Sequence, residues 1–169
     1  MGGLFVVAVV MVDSDSREGL ERLVLKVERR TQRGAKKWHR TDIDHRRGFA
    51  AEFPSMAIAA RFAWAEWTGG TDYLPRTAEA IVNSANACCP GAQLTVIVDG
   101  LKEAEKAVIT TTLRRSGVRF RGVKVGCRDE SYPLLRLADA LAGFLRDVRE
   151  GDPYAVDLWP AVRDLFVQV

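Results

Sequence analysis

The stretch Leu94–Gly100, LTVIVDG, restricts the fold more than any other part of the chain. Leu94 to Val98 are apolar or β-branched without a break, which suits a strand buried on both faces. Asp99 ends the run, Gly100 lets the backbone turn, and a helical pattern from Lys102 to Arg115 follows at once. Strand, acid and helix in this order form an α/β unit. Ligands in open α/β sheets gather outside the carboxyl ends of the strands, so Asp99 is a candidate site acid. The same position also suits an acid that caps the next helix. Position alone leaves both readings open.

The other elements follow from periodicity. Leu4–Val12, LFVVAVVMV, is a second strand of the fully buried type. Leu20, Leu23, Val24 and Val27 recur at helical spacing and predict an amphipathic helix over Ser16–Thr31, its outer face bearing Arg22, Lys26, Arg29 and Arg30. Ile58–Trp67 alternates as a half-buried strand. Glu66 falls on the Phe62–Trp64 side, which predicts an end near Ala65. A helix runs from Thr71–Asp72 to about Cys88, a kinked strand covers Val118–Val125, and a helix capped by Ser131 covers Tyr132–Arg149. This last helix is apolar around most of its girth. Its polar stripe is Arg136, Asp139, Gly143 and Arg146, with Gly143 leaving room one turn beyond Asp139. The tail, residues 150–169, has a helical middle and is expected to pack on the core as a lid. No repeat or linker divides the 169 residues, so the expectation is a single domain spanning 1–169.

Charge is uneven. Between Lys26 and Arg47 nine Lys and Arg stand against Glu28, Asp42 and Asp44, a net +6 that leaves −3 on the rest of a +3 chain. Residues 26–51 therefore read as a basic insert, either a face for a polyanion or a merely solvated one. Its candidate nucleic-acid contacts are Lys36, Lys37, Trp38, His39 and Arg40, with Trp38 able to stack a base or to anchor the loop. A short extended piece is expected at Lys37–His39 and a short helix from Asp42. His39 and His45 stand six apart, which fits no zinc motif. Cys88, Cys89 and Cys127 form no CxxC spacing or disulfide framework, which suits a reducing, cytoplasmic setting. The first apolar run is too short for a membrane span. Neither GxGxxG nor GxxxxGK[ST] occurs, which weakens the reading of an unrelated small-molecule α/β enzyme.

An acid after a central strand and another on the last core helix make a layout able to hold two divalent ions against a phosphodiester. Asp129 and Glu130 precede that helix and add carboxylates; Glu79 is a weaker candidate. FVVAVVMV, the KKWH stretch, LTVIVDG and DESYPLLRLADALAG together resemble the bacterial domain-of-unknown-function 3800 family, itself similar to ribonuclease H-like nucleases and recombinases. The resemblance reaches to about Arg149, and LRLADALAG is its most specific part. It implies an α/β ribonuclease H-like mixed sheet with flanking helices and the basic insert. It also implies catalytic Asp99 and Asp139, Mg²⁺ or Mn²⁺ held by Asp99, Asp139, Asp129 and Glu130, and a site lysine at Lys37. Family members usually begin with a strand ending Asp-Glu-Ser-Gly. Only Met1-Gly2-Gly3 precede Leu4 here, so the first strand and its acid are missing. A rival register makes Leu4–Val12 that first strand and Asp13 its acid.

Two functions follow as expectations. One is a Mg²⁺- or Mn²⁺-dependent nuclease or phosphoryl-transfer enzyme on nucleic acid, impaired in this form. The other is a catalytically silent ribonuclease H-like module that binds nucleic acid or a protein partner. The absent strand predicts either direct pairing of Leu4–Val12 with Leu94–Val98 or a homodimer through an exposed sheet edge.

Overall fold

The computed structural model describes residues 3–70, 72–127 and 131–169. The chain is a mixed α/β protein. In order it forms β1 (Leu4–Met11), α1 (Ser14–Arg30), α2 (Ile43–Ala50), α3 (Phe53–Ala57), β2 (Arg61–Thr68), α4 (Tyr73–Cys88), β3 (Leu94–Asp99), α5 (Lys106–Arg115), β4 (Phe120–Cys127), α6 (Pro133–Glu150), α7 (Pro153–Val162) and β5 (Phe166–Gln168). Short 3-10 turns lie at Trp38–Arg40, Glu103–Glu105 and Arg163–Leu165.

The strands form two sheets. One has the order β1-β2-β5, with β1 antiparallel and β5 parallel to β2; the other is the parallel pair β3-β4. The expected direct pairing of Leu4–Val12 with Leu94–Val98 is therefore not what the backbone does. β1 and β3 each keep one edge without a strand partner among the described residues. Helices α4 and α6 pack across both sheets on opposite faces.

Strand alternation sorts the core. Leu4, Val6, Ala8 and Val10 face α6, joining Leu137, Leu141, Phe144 and Leu145. The main cluster then spreads over α1, α2, α3 and α7 through Leu20, Val24, Phe49, Phe53 and Tyr154. The opposite face of β1 meets α4, with Met11 against Cys89. A second cluster joins Ala78 and Ile81 of α4, Val96 and Val98 of β3, Ile109 and Leu113 of α5, and Val123 of β4.

Two strand boundaries depart from the sequence reading. β2 begins at Arg61, and Ile58, expected inside the strand, is 89 % exposed at the end of α3. Nor does the strand stop at Ala65. Glu66 faces the α6 side as its periodicity requires, and Arg149 of α6 binds it through Nε at 2.9 Å, so the acid is neutralised there. The tail is also more than a lid, because β5 adds a third strand to the first sheet. α6 is entered from Tyr132, one residue later than the expected cap, and ends at Gly151, whose left-handed φ of 79° closes the helix.

Candidate site between the basic insert and the last core helix

The two acids singled out in the sequence are engaged by neighbouring residues of one segment. Lys37 Nζ lies 3.0 Å from Asp99 Oδ2, and the backbone N–H of Trp38 donates to Asp139 Oδ2 at 2.9 Å. Arg33 Nη2 stands 3.6 Å from the same Asp139 oxygen. Asp99 and Asp139 retain 32 % and 26 % side-chain exposure, so both lie at a surface and not in the deep core.

Local chemistry places each partner. Asp99 is carried out of the sheet by β3, and Gly100 at φ 75° turns the chain away. The acid takes no part in capping: the following 3-10 turn is closed by Glu105, whose carboxylate accepts the Lys102 backbone N–H at 2.7 Å. That bond, with a second from Tyr73, lowers the pKa of Glu105 below its ordinary value. Of the two sequence readings of Asp99, the cap is the one not realised.

The α6 stripe serves as a seat for Trp38. Asp139, Gly143 and Asp147 are spaced four apart and share one helix face. Asp139 accepts the backbone N–H of Trp38, and Asp147 accepts its indole Nε1–H at 2.8 Å. Between them Gly143 lies against the indole, where a Cβ would come 2.1 Å from Trp38 Cδ1. The room predicted above Gly143 is thus filled. Trp38 is 3 % exposed, packs edge-on to Phe49, and is flanked by the guanidinium groups of Arg33 and Arg46. Its ring is not open to a base, so Trp38 is the anchor of the insert and not a stacking contact.

A buried charge cluster holds the insert from below. Arg33 is fully buried, 3.2 Å from Glu28 Oε1, while Arg136 binds Glu28 through two bonds of 2.7 and 2.9 Å. The helical pattern assigns Arg136 to an outward stripe; it turns inward because Glu28, on α1, meets it there. Asp147 further accepts from Tyr154 and lies 3.3 Å from Arg46. Burial, reinforced by the negative charge of Asp147, raises the Tyr154 pKa well above that of a free tyrosine. Among the residues that sequence reasoning misses, Glu28 and Asp147 carry only one signal, a charge at a helical position otherwise suited to core, and Arg33, in the turn after α1, carries none.

Lys36, His39 and Arg40 are exposed, as are Lys26, Arg29, Arg30 and Arg47. His45 sits 3.7 Å from Asp42 and apart from His39 in role. Asp129 and Glu130 lie outside the described residues. Among the described residues no group of three His, Cys, Asp or Glu side chains stands together as a metal site. Two carboxylates already answered by Lys37, Arg33 and a backbone N–H do not by themselves fit a two-ion centre, which needs several carboxylate oxygens free to bind. No described helix is long and apolar enough to cross a membrane. No protein-family model matches the chain, nor does any curated protein or any solved structure.

Proposed function

We propose that this chain is a nucleic-acid-binding α/β module that uses its basic insert as the contact face, and that Asp99 and Asp139 secure the insert to the body. The observation that carries this reading is the double engagement at residues 37 and 38: each acid is met by the insert itself. The buried half of the insert (Arg33, Trp38, Phe49) fixes its backbone, while Lys36, Arg40 and Arg47 project to solvent. A rigid base with exposed cations suits phosphate contact. Lys37 is half-exposed and pairs with Asp99 at a surface, where an arriving phosphate competes for it.

The test is fluorescence anisotropy with labelled single- and double-stranded oligonucleotides over a range of salt. Charge reversal at Lys36 and Arg40 is expected to weaken binding. It should also flatten the log–log salt slope by about one unit for each phosphate that is no longer neutralised. A slope unchanged by both reversals would assign the insert to solvation alone.

A second reading, a ribonuclease H-like nuclease using Mg²⁺ or Mn²⁺, is favoured by the approach of Asp99 and Asp139 to two adjacent residues. In that reading Asp99 and Asp139, with Asp129 and Glu130, would hold the ions, whose chemistry there would be Lewis-acid activation of water and charge stabilisation at the leaving oxygen. Strand polarity also supports this ancestry. One more strand between the open edges of β1 and β3 would join an antiparallel pair to a parallel pair in one mixed sheet under α6. A second copy offering a strand to that edge would make the homodimer, which sedimentation at rising concentration detects. Cleavage abolished by Asp139→Asn, in a variant that still binds oligonucleotide, would establish turnover.

A further inference from the structure

A cavity of about 400 Å³ opens between the start of β1 and the start of α4. Phe5 and Trp67 form its floor. They are cross-strand partners in the β1–β2 ladder, with ring centroids 5.9 Å apart and planes inclined by 32°. Arg76, on the first turn of α4, holds its guanidinium carbon 5.3 Å from the Trp67 ring centroid. Tyr73 stands at the rim and is 47 % exposed. Trp67 and Phe5 are each only partly buried, so neither residue is fully covered.

Gly69 and Gly70 line the cavity beside the rings. Gly69 and Gly70 have φ of 74° and 90°, and a Cβ on either would meet nothing within 4 Å. These backbone conformations favour glycine, so the opening is maintained by the chain itself. The volume falls in the range of small-ligand sites, and its wall joins the rings of Phe5, Trp67 and Tyr73 to Asp72 and to Arg76, which is paired with Glu79 at 3.6 Å. An aromatic floor accepts a flat, uncharged π-system, and the carboxylate of Asp72 keeps a phosphate outside the cavity, on the cations of the insert.

Its place in the fold narrows the ligand. The Tyr73 hydroxyl bonds to Glu105, which lies on the short turn that follows Asp99. The cavity therefore opens at the end of the molecule to which β3 delivers Asp99, and Asp99 is bound by Lys37 of the basic insert. Cations that track a phosphate backbone, combined with an aromatic shelf at the same end, are the two parts of a single-strand site.

We propose that the Phe5–Trp67–Arg76 shelf stacks one unpaired base of a single-stranded nucleic acid whose backbone runs over the basic insert. The proposal rests on the nucleic-acid reading above and adds a substrate class to it: a single strand in preference to a duplex, because a paired base has no free face.

The test uses the full chain, a thymidine oligonucleotide, a blunt duplex of the same length and thymidine monophosphate. Binding is read by anisotropy, and the Trp67 indole N–H by two-dimensional NMR, assigned with Trp67→Phe. The expected result is that Trp67→Ala and Arg76→Ala each weaken single-strand binding, the former by roughly 5- to 150-fold, with duplex binding unchanged. The oligonucleotide should shift the Trp67 indole signal, and the monophosphate should shift it only at far higher concentration. Unfolding curves and Phe5→Leu guard against a variant that has lost its fold. Single-strand binding that ignores all three substitutions overturns this shelf and leaves the basic insert standing. No binding of any nucleic acid, with an unmoved Trp67 signal, overturns the shelf and the underlying reading together. A Trp67 signal moved by the monophosphate as readily as by the oligonucleotide replaces the strand with a free nucleotide as ligand and overturns the single-strand proposal.

Discussion

Gly143 and Trp38 claim the same volume: a methyl group on Gly143 would stand 2.1 Å from Trp38 Cδ1, closer than any real carbon contact. The insert is fitted to α6 at this point, and the fit is testable in both directions. Gly143→Ala should destabilise the fold by about 1–3 kcal/mol through overpacking. Trp38→Ala should cost about 3–5 kcal/mol through the cavity it leaves. Combined, the two should cost clearly less than their sum, because the small side chain at 38 makes room for the one at 143. Urea unfolding of the four proteins measures this, and strict additivity would show that the two side chains do not oppose each other.

Glu28 answers two buried guanidinium groups, Arg33 and Arg136. Glu28→Gln keeps the shape and removes the charge. The expected loss is about 3–5 kcal/mol, the usual result of breaking a buried pair from one side. Adding Arg136→Met to Glu28→Gln should recover part of that loss. A stability unchanged by Glu28→Gln would mean that water reaches the cluster.

Lys37 competes with any cation at Asp99. Lys37→Ala should therefore bind Mn²⁺ more tightly than the unaltered chain, by several-fold, as read by calorimetry. Asp99→Asn placed in the same background should abolish the gain. Equal Mn²⁺ affinity with and without the lysine would remove Asp99 from the set of ion ligands and leave the ion pair as its role.

Tyr154 sets the alkaline limit. Its folded pKa lies above the ordinary tyrosine value of about 10. Above the ordinary value the unfolded chain loses this proton while the folded chain keeps it. Stability is thus fully present below about pH 10 and falls as pH rises beyond it. Tyr154→Phe should flatten this fall while lowering stability at neutral pH, because Asp147 loses a donor. An alkaline limb identical in both proteins would locate its origin elsewhere.

What the sequence discloses depends on how far the deciding contact lies along the chain. LTVIVDG reads correctly as a strand that ends in an acid because every cause lies within seven residues. The amphipathic helix over Ser16–Thr31 is read for the same reason, with its start shifted to Ser14. Trp38 is different. The sequence offers it as an anchor of the loop or as a ring for a base, and Gly143 and Asp147, more than a hundred residues on, receive it as the anchor. Glu66 misleads in the opposite sense: an acid on the inner face of a strand reads as a stop, because Arg149 cannot be assigned to it by spacing alone. The three-residue β5 has too little length for a period, and only its place beside β2 makes it a strand.

That last strand also orders events during synthesis. Phe166 contacts the rings of Phe53, Phe62, Phe144 and Trp159, and its strand pairs with β2, which begins at Arg61. A growing chain on the ribosome makes β1 and β2 early, yet it holds the aromatic centre of its core open until Phe166 clears the exit tunnel. Closure of the core therefore waits for Phe166, and until then Phe53 and Phe62 lack one of the rings that cover them.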